Sequence, residues 1–247
     1  MSKYVANLLD YPHKIQGVFE VQFSPTQVHR LDATTTGVLL YAKTTAMRDT
    51  LKKLLAQRKV EKTYLAITNG VPKALEGIVD IPVGEGQIGD RFRMTLRPDY
   101  SSENSRAITN KKTSQRERLA AVTDYKVLSS FNSAALVQCN MSTGRKHQIR
   151  LHLGLGLGTP ILGDHKYSYP DILDKPQRVK GDIVARLRIQ PSKARDLPLF
   201  LHARRIIIPG ILPERDLVIT ANLPHFITRT MKRLRLKADK TAERKNS

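Results

Sequence analysis

The sequence contains very little cysteine and no long apolar run, and both absences exclude classes of protein. The single cysteine, Cys139, cannot form an intrachain disulfide, which fits a reducing compartment. Its place in the apolar run at 134–141 favours a buried structural thiol over a nucleophile or a metal ligand. Without a run of about 18 apolar residues no membrane span is predicted. Residues 1–7 are too few and too polar for a signal peptide.

Acidic residues are also scarce, because 22 Asp and Glu stand against 42 Lys and Arg, a net charge of +20. This excess favours a polyanionic partner, with nucleic acid as the first interpretation and an anionic membrane surface as the second. A length of 247 residues with 40% hydrophobic content suits a chain with a real core. No internal repeat or sharp boundary divides the chain, so we expect a single main domain.

The stretch at 29–43 places one carboxylate between a cationic dipeptide and a glycine turn. Asp32 follows His29 and Arg30, and an apolar run of strand length begins at Val38. Asp32 is therefore expected on a loop that leads into a buried strand, where a rigid scaffold can present a functional side chain. Taken alone, the segment has a plainer interpretation, in which Asp32 only caps a turn and pairs with Arg30.

The periodicity of apolar residues predicts both helices and strands. A helix is predicted over 45–59 from apolar residues at i, i+4, i+7 and i+8, and a second near the C terminus up to about residue 236. A shorter helical pattern lies within 1–28. Strands are predicted over 61–70, 78–83, 122–128, 134–141 and 199–208.

Two patterns suggest cofactors but lack the necessary context. Residues 84–89 read G-x-G-x-x-G, yet the alternating segment after them predicts a glycine-rich hairpin rather than the helix that a dinucleotide site requires. His147 and His152 are five apart with no glutamate between them, which does not fit the zinc-hydrolase spacing. We therefore expect neither a nucleotide cofactor nor a metal. Helix packing or RNA contact is the ordinary explanation of the two histidines.

Basic residues concentrate in three places. The segment at 142–153 predicts the end of a strand and the start of a helix, with Thr143 as N-cap and cations around the first turn. The polar stretch at 99–118 is either a surface loop or an RNA-contacting one, and the basic segment at 229–245 is a further candidate for phosphate contact.

Four stretches, in order along the chain, resemble the RluA family of RNA pseudouridine synthases. The resemblance implies an α+β pseudouridine synthase fold with a mixed, mostly antiparallel sheet flanked by helices and a central active-site cleft. It also implies an N-terminal segment at 1–28, a catalytic domain at 29–236 and a basic, disordered tail at 237–247. The stretches are His-Arg-Leu-Asp with Thr-x-Gly at 29–37, Lys-x-Tyr-x-Ala at 62–66, Thr-Gly-Arg-Lys-His-Gln-Ile-Arg-Leu-His at 143–152 continued by Gly-x-Pro-Ile-Leu-Gly-Asp at 158–164, and Leu-His-Ala at 201–203.

The resemblance also implies the chemistry, which isomerises uridine without metal, redox cofactor or ATP. Asp32 matches the catalytic aspartate, which either attacks C1′ or removes the 2′-proton, and Arg150 matches its basic partner. Tyr64 matches the aromatic residue that stacks on uracil and has been considered as the base for the C5 proton. Arg30 is expected to occupy the place that the flipped base leaves. Further RNA contacts are expected at His29, Lys62, Arg145, Lys146, His147, His152 and His202.

Two departures from the family pattern stand beside these implications. The usual Lys-Pro-x-Gly strand and turn before the first motif is missing, so the native start and any targeting peptide stay open. Thr36 stands where the family often has Ser, and it keeps the hydroxyl. Segments at 160–168 and 192–195 are most similar to an animal mitochondrial branch of the family, which implies a monomer in the mitochondrial matrix acting on ribosomal or transfer RNA.

Two alternatives remain at this point. A catalytically inactive RNA-binding or ribosome-assembly protein on the same fold would also carry a charge of +20. A hydrolase using Asp32 is more distant, because no second carboxylate lies in a recognisable motif.

Overall fold

The computed structural model describes residues 5–6, 25–88, 90–97, 118–173 and 175–238, with only the backbone at 5–6. The predicted polar loop at 99–118 lies outside these residues except for Arg118, and so does the tail beyond residue 238. None of the described helices is long and apolar enough to cross a membrane.

Twelve strands and four α-helices make up the described chain. The strands are β1 Val5–Ala6, β2 Thr26–Gln27, β3 Thr36–Gly37, β4 Leu39–Ala42, β5 Glu61–Asn69, β6 Glu76–Asp80, β7 Val83–Ile88, β8 Arg91–Leu96, β9 Val122–Phe131, β10 Ala134–Met141, β11 Leu201–Leu212 and β12 Arg215–Thr220. The helices are α1 Thr45–Ala56, α2 Gln148–Leu151, α3 Gly181–Leu187 and α4 His225–Arg233, with a π-helical turn at His152–Gly156 and a 3₁₀ turn at Pro191–Asp196.

A seven-stranded sheet in the order β12-β11-β5-β10-β9-β6 forms the centre, and β3 adds to it by pairing in parallel with β11. All other pairs in this sheet are antiparallel. A smaller sheet joins β1, β4 and β2, and β7 pairs with β8 as the predicted glycine-rich hairpin. The prediction of an α+β fold with a mixed, mostly antiparallel sheet is confirmed.

The main core lies on the inner strands of the central sheet. β5 and β10 have a neighbour on each side, and their apolar residues are buried, as Ile67 and Leu136 illustrate. A second core forms where the apolar face of α1 packs through Leu51 against β4 and β11. The predicted helix at 45–59 is confirmed over 45–56 and ends three residues early, and its Thr44 N-cap accepts a hydrogen bond from the Met47 amide.

The loop that carries Asp32 is fixed by a close backbone approach. Gly37 has φ +120°, and a Cβ atom there would overlap the backbone of Ala203 on β11. Only glycine accommodates both conditions without strain. Ala203 lies in register with Gly37 on one side and with Tyr64 of β5 on the other.

Three local predictions are wrong. Residues 5–6 form a strand paired with β4 rather than part of a helix, because the strand satisfies the main chain of a sheet edge. The strand predicted at 78–83 is divided between β6 and β7, since Pro82 lies between them and has no N–H for a ladder. Thr143 does not cap a helix, which begins only at Gln148; its hydroxyl donates to Gln148 Oε1 instead.

Candidate active site

A cavity of about 480 Å³ lies between the loop after β2, the start of β5 and the turn after β10. Each of the four motifs contributes at least one residue to its wall. The predicted site residues that line it are His29, Arg30, Asp32, Lys62, Tyr64, Arg145, His147 and Arg150.

Asp32 presents a partly exposed carboxylate, 21% accessible, to this cavity. Its Oδ2 atom lies 3.7 Å from Nη1 of Arg150 and 3.7 Å from Nε2 of His147. Both distances exceed an ordinary hydrogen bond, and contacts between catalytic groups often shorten when substrate binds. The structure thus places a carboxylate between a guanidinium and an imidazole.

Arg150 is held by a second carboxylate, that of Asp164. Its Nε and Nη2 atoms donate to the two carboxylate oxygens of Asp164, each at 2.8 Å. Asp164 also accepts hydrogen bonds from the backbone amides of Lys166 and Tyr167. Burial acts to lower the pKa of Arg150, but the bonds and charge of Asp164 outweigh it, so the net shift is upward. The guanidinium stays charged and keeps one nitrogen for Asp32.

Tyr64 reaches the cavity from β5, between its sheet neighbours Cys139 and Ala203. Burial raises the pKa of Tyr64, and the nearby Asp32 adds to the shift. The side chain is therefore a phenol at neutral pH, with a ring face and an O–H to offer rather than a phenolate.

His147 sits next to Asp32 but is neutral at neutral pH. Burial is the largest effect on its pKa, which falls to about 4; Asp32 acts to raise the pKa, and the cations of Arg150, Lys166 and Lys146 act with burial to lower it. Its contact with Asp32 is thus one of a neutral ring with a carboxylate. The residue has φ +60°, a left-handed conformation directly before α2, and its Nδ1 atom lies 2.5 Å from the hydroxyl of Tyr167.

Two of the histidines predicted to contact RNA lie elsewhere. His152 is fully buried, with Nδ1 2.8 Å from Thr123 Oγ1 and Nε2 2.9 Å from the Ile81 carbonyl. His202 is also fully buried, and its Nδ1 lies 2.8 Å from the Thr36 hydroxyl. Both rings satisfy interior polar groups, so the expectation that they bind RNA is wrong.

The remaining predicted contacts divide by exposure. Lys62 lines the cavity, and burial lowers its pKa. His29 lines the cavity too, while its Nε2 accepts a hydrogen bond from the Leu40 amide. Lys146 is exposed and does not line the cavity, so its contact with RNA stays a prediction.

Asp164 and Tyr167 belong to the site, but the sequence analysis did not predict them. Asp164 ends the third motif stretch at 158–164, but the motif by itself assigns it no role.

Comparison with known proteins agrees with these motifs. A family profile described as RNA pseudouridylate synthase matches residues 10–154. The chain is 44% identical over 212 residues to the mitochondrial pseudouridylate synthase RPUSD4 of Rattus norvegicus, covering 84% of this chain and 55% of that protein. It is 36% identical over 203 residues to the ribosomal large subunit pseudouridine synthase D of Nitrosomonas europaea, covering 80% and 52%. The chain thus spans about half the length of these relatives.

A solved structure supports the same conclusion. Human RNA pseudouridylate synthase domain containing 4 superposes with a TM-score of 0.73 at 40% identity, covering 86% of this chain and 77% of that one. Because profile, relatives and structure agree with the four motifs, the chain belongs to the RNA pseudouridylate synthase family, as its sequence predicted.

Proposed function

We propose that the protein is an RNA pseudouridine synthase that isomerises specific uridines in structured RNA, with Asp32 as its catalytic carboxylate. The observation that carries this proposal is the Asp32 carboxylate 3.7 Å from the Arg150 guanidinium, in a cavity that Tyr64 also lines. The substrate is ribosomal or transfer RNA of mitochondria, and the location is the mitochondrial matrix. The relatives named mitochondrial support the location, and the relatives named for the ribosomal large subunit support ribosomal RNA.

The reaction needs only groups that this cavity contains. The C1′–N1 bond breaks, the detached uracil turns, a C1′–C5 bond forms, and C5 loses a proton while N1 gains one. Asp32 starts the sequence either by attacking C1′ or by removing the 2′-proton, and both routes need it ionised beside Arg150. In both routes Asp32 is a free carboxylate again once C1′–C5 has formed, so it can then accept the C5 proton.

Tyr64 serves this reaction as a surface for the uracil ring. Its raised pKa disfavours it as the base for the C5 proton, because removing the phenolic proton is costly in a buried site beside Asp32. Stacking of the base against the phenol ring is compatible with the protonated form.

RNA is held by cations around and beyond the cavity. Arg30 is exposed at its rim, where it can enter the stack that the uridine leaves. The described part of the basic C-terminal segment adds exposed Arg229, Lys232, Arg235 and Lys237. We expect affinity to fall steeply between about 50 and 200 mM salt, since each neutralised phosphate releases counterions. A flat response would contradict this.

The decisive experiment measures tritium release from C5-labelled uridine in mitochondrial ribosomal and transfer RNA. The unmodified protein is expected to release tritium, and Asp32→Asn is expected to release none while still binding RNA. The second candidate, an inactive RNA-binding or ribosome-assembly protein, is favoured by the charge of +20. It would be supported if the unmodified protein bound these RNAs and released nothing.

A further inference from the structure

Tyr167 is a buried tyrosine behind the cavity, and its hydroxyl makes a polar contact with a residue of the cavity wall. Its ring is fully buried, and the guanidinium carbon of Arg150 lies 5.0 Å from the ring centroid. The hydroxyl points to His147, with 2.5 Å between Oη and Nδ1. His147 in turn faces Asp32 through Nε2. A continuous path of two contacts therefore joins a buried phenol to the carboxylate.

The contact of His147 with Asp32 indicates which group donates in the hydrogen bond between Tyr167 and His147. A neutral imidazole carries one N–H, and its position depends on what the other nitrogen accepts. If Tyr167 donates to Nδ1, the proton of His147 lies on Nε2 and points at the Asp32 carboxylate. If Nδ1 carries the proton, the lone pair of Nε2 faces a negatively charged oxygen instead. Burial raises the pKa of Tyr167, which keeps the phenol protonated and able to donate.

Arg150 and His147 approach the same oxygen of Asp32. The contact of each residue is with Oδ2, at 3.7 Å. Both distances lie just beyond hydrogen-bond range, so a small shift of the carboxylate or of the imidazole would bring Oδ2 within reach of both N–H groups.

We propose that Tyr167 is a positioning residue, whose hydroxyl fixes the Nε2–H tautomer of His147 and so directs that N–H, rather than a lone pair, at Oδ2 of Asp32. This inference rests on the proposed function. The charged groups around His147 are Asp32, Arg150, Lys146 and Lys166. The three cations oppose protonation of the ring, so the tautomer of the neutral form is the state that matters.

The tautomer can be measured without activity. Long-range ¹⁵N–¹H spectra of the imidazole rings distinguish Nε2–H from Nδ1–H, and His147→Gln assigns the His147 signals. We expect Nε2–H in the unmodified protein and a mixture of tautomers in Tyr167→Phe. Nδ1–H in the unmodified protein, or an unchanged tautomer in Tyr167→Phe, would overturn the proposal even where that variant folds poorly.

Kinetics test the link to the reaction. Single-turnover tritium release is expected to fall about tenfold in Tyr167→Phe with RNA affinity within about twofold, since the lost contact acts on the carboxylate rather than on binding. The matched control is Tyr125→Phe, which also removes the hydroxyl of a buried tyrosine. That hydroxyl donates to the Ala74 carbonyl at 3.3 Å, and Tyr125 does not line the cavity. We expect its rate to stay within about twofold of the unmodified protein.

A double-mutant cycle separates positioning from packing. In His147→Gln the side-chain amide supplies an N–H without any tautomer to fix, so Tyr167→Phe should then change the rate by less than about twofold. An equal tenfold loss in both backgrounds would overturn the proposal. Absence of product with the unmodified protein would instead overturn the proposed function, and this inference with it.

Discussion

Arg150 binds Asp164 through two hydrogen bonds of 2.8 Å and meets Asp32 with the nitrogen that those bonds leave over. One guanidinium therefore lies between two carboxylates of different exposure. The side chain of Asp164 is inaccessible to solvent, whereas that of Asp32 opens to the cavity. Since the planar fork of arginine has a fixed geometry, the buried partner decides where Nη1 points.

Asp164→Asn is expected to slow the reaction strongly while leaving RNA binding within a few-fold. The asparagine has only one oxygen, which is neutral, so it can accept from only one of the two Arg150 nitrogens. Its NH₂ group would face the other nitrogen, which is also a donor, and Arg150 would lose its bidentate partner. Breaking a buried pair typically costs about 3 kcal/mol or more in the free energy of unfolding. Single-turnover tritium release and urea denaturation measure the two effects.

The control for this variant is Asp196→Asn, which removes an exposed carboxylate 3.7 Å from Lys193. An exposed pair of this kind contributes at most about 1 kcal/mol. If Asp164→Asn matched this control in both rate and stability, the anchoring of Arg150 by Asp164 would be refuted.

Gly37→Ala is expected to destabilise the protein by about 3 kcal/mol or more, because the new Cβ would overlap the backbone of Ala203 and the residue has a positive φ. Gly181→Ala is the matched control, since a Cβ there meets nothing within 4 Å. Urea midpoints of the two variants give the comparison. Equal stability of the two variants would argue against the close approach.

Thr36→Val tests the hydroxyl that pairs with the buried His202. The substitution keeps the shape but leaves Nδ1 of His202 without its 2.8 Å partner, which costs about 1–3 kcal/mol. Thr36→Ser keeps the hydroxyl and should stay closer to the unmodified protein, despite the lost methyl group. Thermal denaturation ranks the three proteins, and the prediction fails if Ser is the less stable variant.

Stability is expected to fall as the pH drops from about 6.5 to 4. Burial lowers the pKa of His147 to about 4, and it also lowers the pKa of His152 and His202. In this window the unfolded chain takes up protons that the folded chain does not, so the contribution is complete above pH 6.5 and is lost on acidification.

The pH prediction is checked by urea denaturation at several pH values. His147 is expected to contribute to this loss, because the fold keeps its ring neutral well below the pKa of a free imidazole. His147→Gln should therefore show a shallower decline than the unmodified protein. Parallel curves for the two proteins would mean that His147 is not kept neutral by the fold.

The sequence was sufficient to predict which candidate catalytic residues share a site, but not which residues hold them in place. Asp32, Tyr64 and Arg150 were assigned from motifs, and the structure brings all three to one cavity. His147 and His152 belong to the same motif, yet one lines the cavity and the other is buried. His147 has a left-handed backbone directly before α2, and His152 begins a π-helical turn. The spacing of the two residues in the sequence indicates neither irregularity, so it does not show which histidine faces the cavity.

The sequence also did not predict which side chains hold the site residues in place. Asp164 ends the third motif stretch, and a Gly-Asp dipeptide commonly forms a turn, so the sequence gives no sign that its carboxylate holds an arginine. Its partner Arg150 lies 14 residues away, and only the fold shows that the two meet. The buried histidines were misassigned for the same reason, since each is satisfied by a residue distant in sequence.

Ala203 stands in register with Gly37 on one side and Tyr64 on the other. The loop that carries Asp32 and the strand that carries Tyr64 are consequently both aligned on Ala203, whose carbonyl accepts a hydrogen bond from the Val38 amide. Exposed side chains at the mouth of the cavity, such as Arg30, can therefore be exchanged without disturbing the backbone that spaces Asp32 from Tyr64.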